Sequence, residues 1–388
     1  MANRQVREGR RLMSHDSGSG ANNNDMYAQR MARAKAEMER QGVDFLFVTP
    51  SSDLIYLLGY PAHSSERMTL LGIPRDGEPF VVVPTLEATR LEHRREIVDI
   101  HAWNETESPS ELTARLVEKA QGGSIGISDQ TWAVFLIRLQ EALPDSRFVS
   151  GTPIIRELRM VKDQQEIEHL RYVGSRTDAA WNQFVATASL AGRTEQDVAA
   201  ELSSRIEEQG LPRPGFLIVA SGPASASPHH MTSDRVIQEG DAIVFDFGSQ
   251  HEHYWSDITR TVHVGEPSDE FRTVYDTVLR ANDAAKAIVR PGVSCEAVDR
   301  AARDVIEEAG YGEYFIHRVG HGLGLDGHEE PYMVSGNDLP LRPGMVFSDE
   351  PGIYIPGRFG VRIEDILVCT EDGYESFNDA RRDLVVMR

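Results

Sequence analysis

The segment DAIVFDFGSQHEHYWSDITRTVHV, residues 241–264, decides the prediction for both fold and site. Its two apolar, β-branched runs predict a pair of strands joined by a turn around Gly248–His253. Asp246 interrupts the first run, and Asp257 lies within the second. Aspartate is depleted in strands, and a buried carboxylate is costly unless it is paired or binds a metal. Two interpretations stay open here: a metal-binding hairpin face, or hairpin-edge side chains that face water.

A glycine-rich segment, HRVGHGLGLDGHEEP at residues 317–331, supplies two histidines. Four glycines surround His321 and His328, and glycine at this density lets the backbone approach a ligand closely. Imidazole provides both metal coordination and proton transfer. The spacing does not match the HExxH zinc helix, and either histidine alone would be consistent with a structural role.

Two further carboxylates occur in FSDEPGIYIPGRFGVRIEDILV, residues 347–368. Glu350 follows an apolar run and precedes Pro351, whereas Glu364 interrupts a second strand-like run. Four carboxylates and one imidazole on strands or glycine-rich turns are hard to bury without cations, whereas two divalent ions would neutralise them. The set predicts metal-assisted hydrolysis, with the ligands Asp246, Asp257, His321, Glu350 and Glu364.

The composition excludes several classes of protein. The chain has 388 residues, with 40 lysines and arginines against 61 aspartates and glutamates, and a formal net charge of −21. This charge argues against nucleic acid or an anionic membrane as a partner, since both favour clustered Lys and Arg. Two cysteines are too few for a disulfide scaffold or a cysteine-rich zinc module. No apolar run reaches the roughly 18 residues of a membrane span, and no secretory signal is recognisable, so we expect a cytoplasmic protein.

Patterning along the chain predicts two domains after a disordered tail at residues 1–25, with order beginning in a helix at Met26. Over residues 26–155, strand-like runs alternate with helical patterns at 84–95, 108–121 and 131–143, which favours an α/β domain on a mainly parallel or mixed sheet. Over residues 156–388, helices and strands cluster instead. A long amphipathic helix starts near Lys162, and the clustering favours an α+β domain.

The order Asp, Asp, His, Glu, Glu in these contexts resembles the metallopeptidase family of pita-bread fold. That family includes Xaa-Pro dipeptidase (prolidase), Xaa-Pro aminopeptidase, methionine aminopeptidase and the metal-free creatinases. The α/β segment before the motifs is similar to the creatinase-type N-terminal domain. The resemblance implies a pita-bread C-terminal domain, a homodimer, and two divalent ions, with Mn²⁺ expected and Co²⁺ or Zn²⁺ as alternatives. Asp246 would bind one ion, His321 and Glu350 the other, and Asp257 and Glu364 would bridge them.

The resemblance also implies roles for residues around the ligands. His328, in GHEEP, matches a histidine that contacts the substrate and the tetrahedral intermediate. His229, in SGPASASPHH, matches one that lines the substrate pocket. Arg362 matches an arginine near the metal site that could also bind a substrate carboxylate. His230 stands where prolidases usually have glycine, and we expect it to be an ordinary surface histidine.

The implied reaction is hydrolysis of Xaa-Pro peptide bonds in small peptides, by attack of a metal-bridging hydroxide on the peptide carbonyl with Glu350 as general base. A Xaa-Pro dipeptidase is favoured by the compact N-terminal domain and the SGP…PH segment. The alternatives are a Xaa-Pro aminopeptidase acting on longer peptides, an ectoine-type amide hydrolase, and a dimethylsulfonio lyase. A metal-free scaffold or creatinase is disfavoured because all five ligands are present.

Overall fold

The computed structural model describes residues 20–117 and 123–388. The predicted tail up to residue 19, and the end of the predicted helix at residues 118–121, lie outside the described part. The chain divides into two compact units after Leu158, and each is described by itself. The predicted domain limits were residues 155 and 156, three residues earlier.

The first unit is built on a mixed sheet. Within the described residues its six strands, in the spatial order β4-β3-β2-β1-β5-β6, are β1 Phe45–Val48, β2 Leu70–Pro74, β3 Phe80–Pro84, β4 Asp99–Trp103, β5 Ser124–Ile127 and β6 Arg147–Ser150. β2 runs antiparallel to both of its neighbours, and the other pairs are parallel. The mixed sheet agrees with the predicted α/β organisation.

Helices alternate with these strands: α1 Gly20–Gln41, α2 Ser52–Leu58, α3 Thr85–Ala88, α4 Pro109–Leu116, α5 Ala133–Ala142 and α6 Thr152–Arg159. The core lies between the sheet and helix α5, where Phe47 and Val82 pack in one cluster with Phe135 and Leu139. These apolar side chains face inward because they repeat every second residue on the strands and every third or fourth on the helix.

Helix α1 begins at Gly20, six residues before the predicted start at Met26. The reason is tertiary contact that the sequence pattern does not show. The buried Asn24 side chain accepts a hydrogen bond from Arg94 at 2.6 Å, and its amide donates to the His93 carbonyl at 3.1 Å. The Asn-rich residues expected to form a flexible lead-in therefore belong to the first turns of the helix.

The second unit has four helices within the described residues: α7 Gln164–Thr187, α8 Glu195–Glu208, α9 Asp269–Ile288 and α10 Cys295–Glu308. Asp163 and Thr194 cap α7 and α8, each in a reciprocal capping box with the third helical residue. Over the described residues, no helix combines the length and apolarity that crossing a membrane requires.

These helices cover two sheets, of which the first is mixed because one edge strand pairs in parallel, and the second is antiparallel. One has the order β19-β11-β8-β7, with the strands β7 Phe216–Ser221, β8 Ala242–Gly248, β11 Ile258–Val264 and β19 Val385–Met387. The other has the order β13-β12-β14-β17-β18, with the strands β12 Gly320–Gly322, β13 Glu329–Met333, β14 Val346–Asp349, β17 Asp365–Cys369 and β18 Tyr374–Ser376. Two hairpins accompany them, β9 Gln250–His251 with β10 Tyr254–Trp255, and β15 Gly352–Ile355 with β16 Phe359–Arg362.

Each sheet buries one face against a helix pair. Trp181 of α7 packs in one cluster with Phe245 of β8, and Val278 of α9 packs in another with Phe347 of β14. Because side chains alternate along a strand, Asp246 lies on the opposite face from Phe245. The helices thus leave the acidic faces of the strands free to form a site, in an α+β arrangement.

Candidate metal centre and substrate cavity

Asp246 and Asp257 lie on the same face of the first sheet. β8 and β11 run antiparallel, with Thr259 directly opposite Asp246. Asp257 lies two residues before Thr259 and therefore points to the same side. Between the strands, the β9–β10 hairpin reverses at Glu252 and His253, whose φ angles are 48° and 71°. The predicted turn is present, and it is extended into a small hairpin of its own.

His321, on β12, meets Glu350, the residue that follows the neighbouring strand β14. His321 is the central residue of β12, and a Cβ on the preceding Gly320 would lie 1.8 Å from the Ser348 carbonyl oxygen. The Ser348 hydroxyl accepts a hydrogen bond from the His321 backbone N–H at 3.0 Å and donates to Glu350 Oε1 at 3.1 Å. His321 Nε2 lies 3.3 Å from Glu350 Oε1. Glycine is therefore required here by close backbone packing that brings the two side chains together.

The ring of His321 is oriented as in a metal ligand. Its Nδ1 lies 3.0 Å from the Gly322 carbonyl oxygen, which can only accept, so Nδ1 carries the hydrogen. Nε2 is then the coordinating atom, and it faces the carboxylates of Asp257 and Glu350 at 3.9 and 3.3 Å. A second-sphere carbonyl that fixes the tautomer in this way is usual for metal-binding histidine.

Glu364 joins the two sheets. It lies between β16 and β17, and its backbone N–H donates to the Thr259 carbonyl at 3.1 Å. Its Oε2 accepts a hydrogen bond from the Thr259 hydroxyl at 2.6 Å. The same threonine that faces Asp246 thus holds Glu364 over the aspartates.

The five predicted ligands all line one cavity of about 800 Å³. Three of them, Asp257, His321 and Glu364, offer ligand atoms that lie within 4.8 Å of one another, and all three side chains are buried. Asp257 Oδ1 is buried without a hydrogen-bond partner. An orphaned carboxylate oxygen in such a cluster is the feature expected where a cation is to bind.

The pKa shifts of the carboxylates also favour a cation site. Burial raises the pKa of Asp257 and Glu364 well above the usual range, and neighbouring carboxylates raise both further. Burial also raises the pKa of Asp246. Burial acts in the same direction on Glu350, but in the metal-free state a hydrogen bond from His321 Nε2 and the charge of that ring outweigh it and lower the Glu350 pKa to about 2. A bound cation would stabilise the ionised carboxylates, and this oxygen-rich set with one imidazole fits divalent ions such as Mn²⁺, Co²⁺ or Zn²⁺.

Arg362 is a buried partner of the candidate metal ligands. Its guanidinium lies 2.5 Å from Asp246 Oδ2, and it also donates to the hydroxyls of Tyr354 at 2.9 Å and Thr259 at 3.1 Å. Arg362 lines the cavity, although only 3 % of its surface is exposed. The sequence-based role near the metals agrees with this position, whereas a contact with a substrate carboxylate stays a prediction.

His229 and His328 both line the cavity, as predicted from the resemblance. The rings of His328 and His321 are edge-to-face, with centroids 4.0 Å apart. Partial burial and the charge of His321 lower the pKa of His328 to about 4. His328 is therefore neutral at pH 7, when it can donate one hydrogen bond and accept another.

The prediction that His230 is an ordinary surface histidine was wrong. Its side chain is only 19 % exposed, and Nε2 lies 2.9 Å from Oε2 of Glu195, a carboxylate that is fully buried. The partner is 35 residues away along the chain, so the pattern of residues around His230 could not reveal it.

Sequence reasoning also missed wall residues. His317 and Arg318 line the cavity, and His317 Nε2 lies 2.9 Å from the Tyr354 hydroxyl that Arg362 contacts. Both residues belong to the same glycine-rich segment as His321, and that proximity was a signal that could have identified them.

Comparison with known proteins identifies both units. The model of metallopeptidase family M24 matches residues 168–371, and that of the creatinase/prolidase N-terminal domain matches residues 30–161. The chain is 43 % identical over 367 residues to a probable dipeptidase PepE of Mycobacterium tuberculosis, an alignment that covers 94 % of this chain and 97 % of the relative. It is 36 % identical to a Xaa-Pro dipeptidase of Lactobacillus helveticus, covering 89 % and 95 %.

Solved structures of similar proteins support the same family assignment. Dipeptidase PepE from Mycobacterium ulcerans superposes with a TM-score of 0.90 at 43 % identity, covering 94 % of this chain and 98 % of that one. A prolidase from Thermococcus sibiricus gives 0.88 at 36 % identity, covering 93 % and 99 %. These similarities confirm the expected creatinase-type N-terminal domain and pita-bread C-terminal domain. The chain therefore belongs to metallopeptidase family M24 and is a metal-dependent hydrolase.

Proposed function

We propose that this protein is a dinuclear-metal Xaa-Pro dipeptidase. The observation that carries the proposal is the convergence of four carboxylates and His321 on one cavity, with a carboxylate oxygen of Asp257 left without a partner. Asp246 would hold one ion, His321 and Glu350 the other, and Asp257 and Glu364 would bridge them. Two divalent ions bound there would lower the pKa of a water molecule and polarise a peptide carbonyl.

The protein's own side chains would position the substrate and move protons. Glu350, which would be ionised beside bound cations, would take a proton from the attacking water and return it to the leaving nitrogen. His328, neutral at pH 7, would donate a hydrogen bond to the oxygen on which negative charge develops. His229, at the exposed side of the cavity, would contact the substrate.

The proline nitrogen of an Xaa-Pro bond differs chemically from the nitrogen of other peptide bonds. The Xaa-Pro bond is a tertiary amide without an N–H, so the cavity need not accept a hydrogen bond from that nitrogen. The L. helveticus relative carries the name Xaa-Pro dipeptidase at 36 % identity, whereas an X-Pro aminopeptidase from Thermotoga maritima is similar at 31 % identity with a TM-score of 0.80. The similar proteins described here at 36 % identity and above are all named dipeptidases or prolidases, which supports a dipeptidase over an aminopeptidase.

One observation favours a second candidate. The mycobacterial relatives at 43 % identity are named dipeptidase without reference to proline. A dipeptidase that also accepts dipeptides with other second residues is therefore the alternative. We further propose Mn²⁺ as the native metal, a homodimer and a cytoplasmic location.

The test is an assay of chelator-treated protein with Mn²⁺, Co²⁺ or Zn²⁺ added back. The substrates are Leu-Pro, Leu-Ala and Leu-Pro-Ala, with free leucine measured by chromatography. Metal-dependent hydrolysis of Leu-Pro alone supports the proposal. Equal hydrolysis of Leu-Ala supports the broader dipeptidase, rapid hydrolysis of the tripeptide supports an aminopeptidase, and no hydrolysis of any of them refutes the peptidase assignment.

A further inference from the structure

Glu195, the first residue of α8, is a buried carboxylate outside the metal cluster. Its side chain is 0 % exposed. Oε1 accepts from the backbone N–H and the hydroxyl of Ser221 at 2.8 and 2.6 Å. Oε2 accepts from the backbone N–H and the hydroxyl of Ser233 at 2.9 and 2.7 Å, and lies 2.9 Å from His230 Nε2. Burial alone would raise the pKa of Glu195, but these hydrogen bonds outweigh it and lower the pKa, so the carboxylate is ionised at neutral pH.

Of the groups that bond to Glu195, Ser221 ends β7, whereas His230 and Ser233 belong to the connection between β7 and β8, residues 222–241, which also carries His229. The far half of this connection is docked on α8, because the backbone N–H groups of Glu195 and Gln196 donate to the carbonyls of Arg235 and Ser233 at 3.0 and 3.1 Å. The Thr232 hydroxyl is held by the edge of β7, where the Val219 N–H donates to it at 2.9 Å.

The segment of the connection just before Thr232, residues 227–231, forms few hydrogen bonds. Ser227, His229 and Met231 are exposed, and Met231 is 83 % exposed. Within the described residues, the hydrogen bonds found for this stretch are the His230–Glu195 bond, the turn from His230 N–H to the Ser227 carbonyl at 3.1 Å, and the Ser227 N–H to the Ala224 carbonyl at 3.0 Å. The side chain of His230 therefore joins the segment that carries His229 to the buried carboxylate of Glu195.

We propose that His230 and Glu195 are positioning residues that hold His229 at the cavity. His229 and His230 share a peptide bond within a turn closed by the His230 N–H and the Ser227 carbonyl, so fixing His230 on the Glu195 carboxylate restricts the positions open to the His229 backbone. A histidine that contacts substrate loses effectiveness if its backbone can move by about 1 Å, and the charge-assisted bond to Glu195 limits that movement. This inference rests on the proposed peptidase function, and it adds a chain-specific contact to it.

The test compares His230→Ala with His230→Gln in the full-length, Mn²⁺-loaded protein. Glutamine can place its amide nitrogen where His230 places Nε2, so it keeps the donor to Glu195, whereas alanine removes it. Met231→Ala is the matched control, because it changes a neighbouring side chain that is exposed. We expect His230→Ala to lower kcat/KM for Leu-Pro about tenfold, the effect of losing one hydrogen bond to a charged group, and His230→Gln and Met231→Ala to retain the wild-type value.

A double-mutant cycle separates positioning from general destabilisation. If His230 acts through His229, then His230→Ala has no further effect on kcat/KM in a His229→Ala background. An additive loss in that background would overturn the inference, and so would wild-type kcat/KM in His230→Ala alone.

Hydrogen exchange measured by mass spectrometry gives a readout that does not depend on activity. We expect faster exchange over residues 227–233 in His230→Ala, and normal exchange there in His230→Gln and Met231→Ala. If the wild-type protein hydrolyses no dipeptide, the proposed function fails and the exchange result alone decides the anchoring. Faster exchange confined to the alanine variant would then support it, and equal exchange in all variants would overturn it.

Discussion

Replacing Asp257 with asparagine should stabilise the protein when no metal is bound. In the metal-free state this carboxylate is buried beside Glu364 and Asp246, and its Oδ1 has no hydrogen-bond partner. Asparagine keeps the shape of the side chain but removes the charge that burial and the neighbouring carboxylates disfavour. Because an unsatisfied buried group costs about 1–3 kcal/mol, and more when it is charged, the neutral isostere should raise the free energy of unfolding by about 2 kcal/mol. For a unit of this size about 1 kcal/mol corresponds to about 2–4 °C, which gives an increase in Tm of about 4–8 °C.

The sign should reverse when metal is present. In the proposed site Mn²⁺ would bind the folded state through ligands that include Asp257, so it should raise the Tm of the wild type and have little effect on Asp257→Asn. Scanning calorimetry in excess chelator and then in excess Mn²⁺ measures both effects. Asp338→Asn, at an exposed position, is the control and should behave as the wild type in both conditions. If Asp257→Asn melts at or below the wild type in chelator, or keeps the full gain from Mn²⁺, the explanation of the cluster as a cation site is wrong.

Three other predictions concern groups around the cavity. Glu350→Gln should lower kcat for Leu-Pro by at least about 100-fold in steady-state kinetics, because it removes the proposed proton acceptor; a loss below tenfold would contradict that role. Arg362→Lys keeps the charge but not the hydrogen bonds that fix Asp246, so chelator competition should show about tenfold weaker Mn²⁺ binding, and unchanged affinity would contradict it. Burial raises the pKa of Glu329, but Arg159 and Lys162 outweigh it and lower the pKa below 4.5. These ion pairs therefore stabilise the fold above the unfolded-state pKa and cease to do so as the pH falls through the folded-state pKa. Lys162→Met should lower the free energy of unfolding by about 3 kcal/mol at pH 7 and by less below about pH 4 in urea titrations; a loss that does not depend on pH would refute the ion-pair explanation.

The five candidate ligands could be predicted from the sequence because each is a polar residue in an unfavourable local context. Asp246 and Glu364 interrupt apolar strand runs, and His321 lies between two glycines. Such conflicts between a residue and its local pattern are expected at functional sites. The α+β organisation of the second unit was predictable from the clustering of helical and strand-like patterns, and the amphipathic helix expected to start near Lys162 matches α7, which begins at Gln164.

Contacts distant in sequence could not be predicted. The pairing of Arg362 with Asp246 depends on how β16 lies against β8, and the two residues are 116 positions apart. The strand-like runs recognisable in the first unit, VDFLFVTP and residues 79–83, 97–100 and 124–127, did not include β2 or β6. β2 is completely buried, and its run LLGIP is short and contains glycine and proline, which weaken a strand signal. His230 was misjudged because its partner, Glu195, is on a helix whose docking against the β7–β8 connection is a property of the whole unit.

The central claim is that these five residues form a site for two divalent ions. Anomalous diffraction from crystals of the Mn²⁺-loaded protein, collected on both sides of the manganese absorption edge, tests it most directly. We predict two manganese peaks within the cavity, one contacting Asp246, one contacting His321 and Glu350, and both contacting Asp257 and Glu364. A cavity without an anomalous peak, or manganese bound only elsewhere on the protein, would contradict the account.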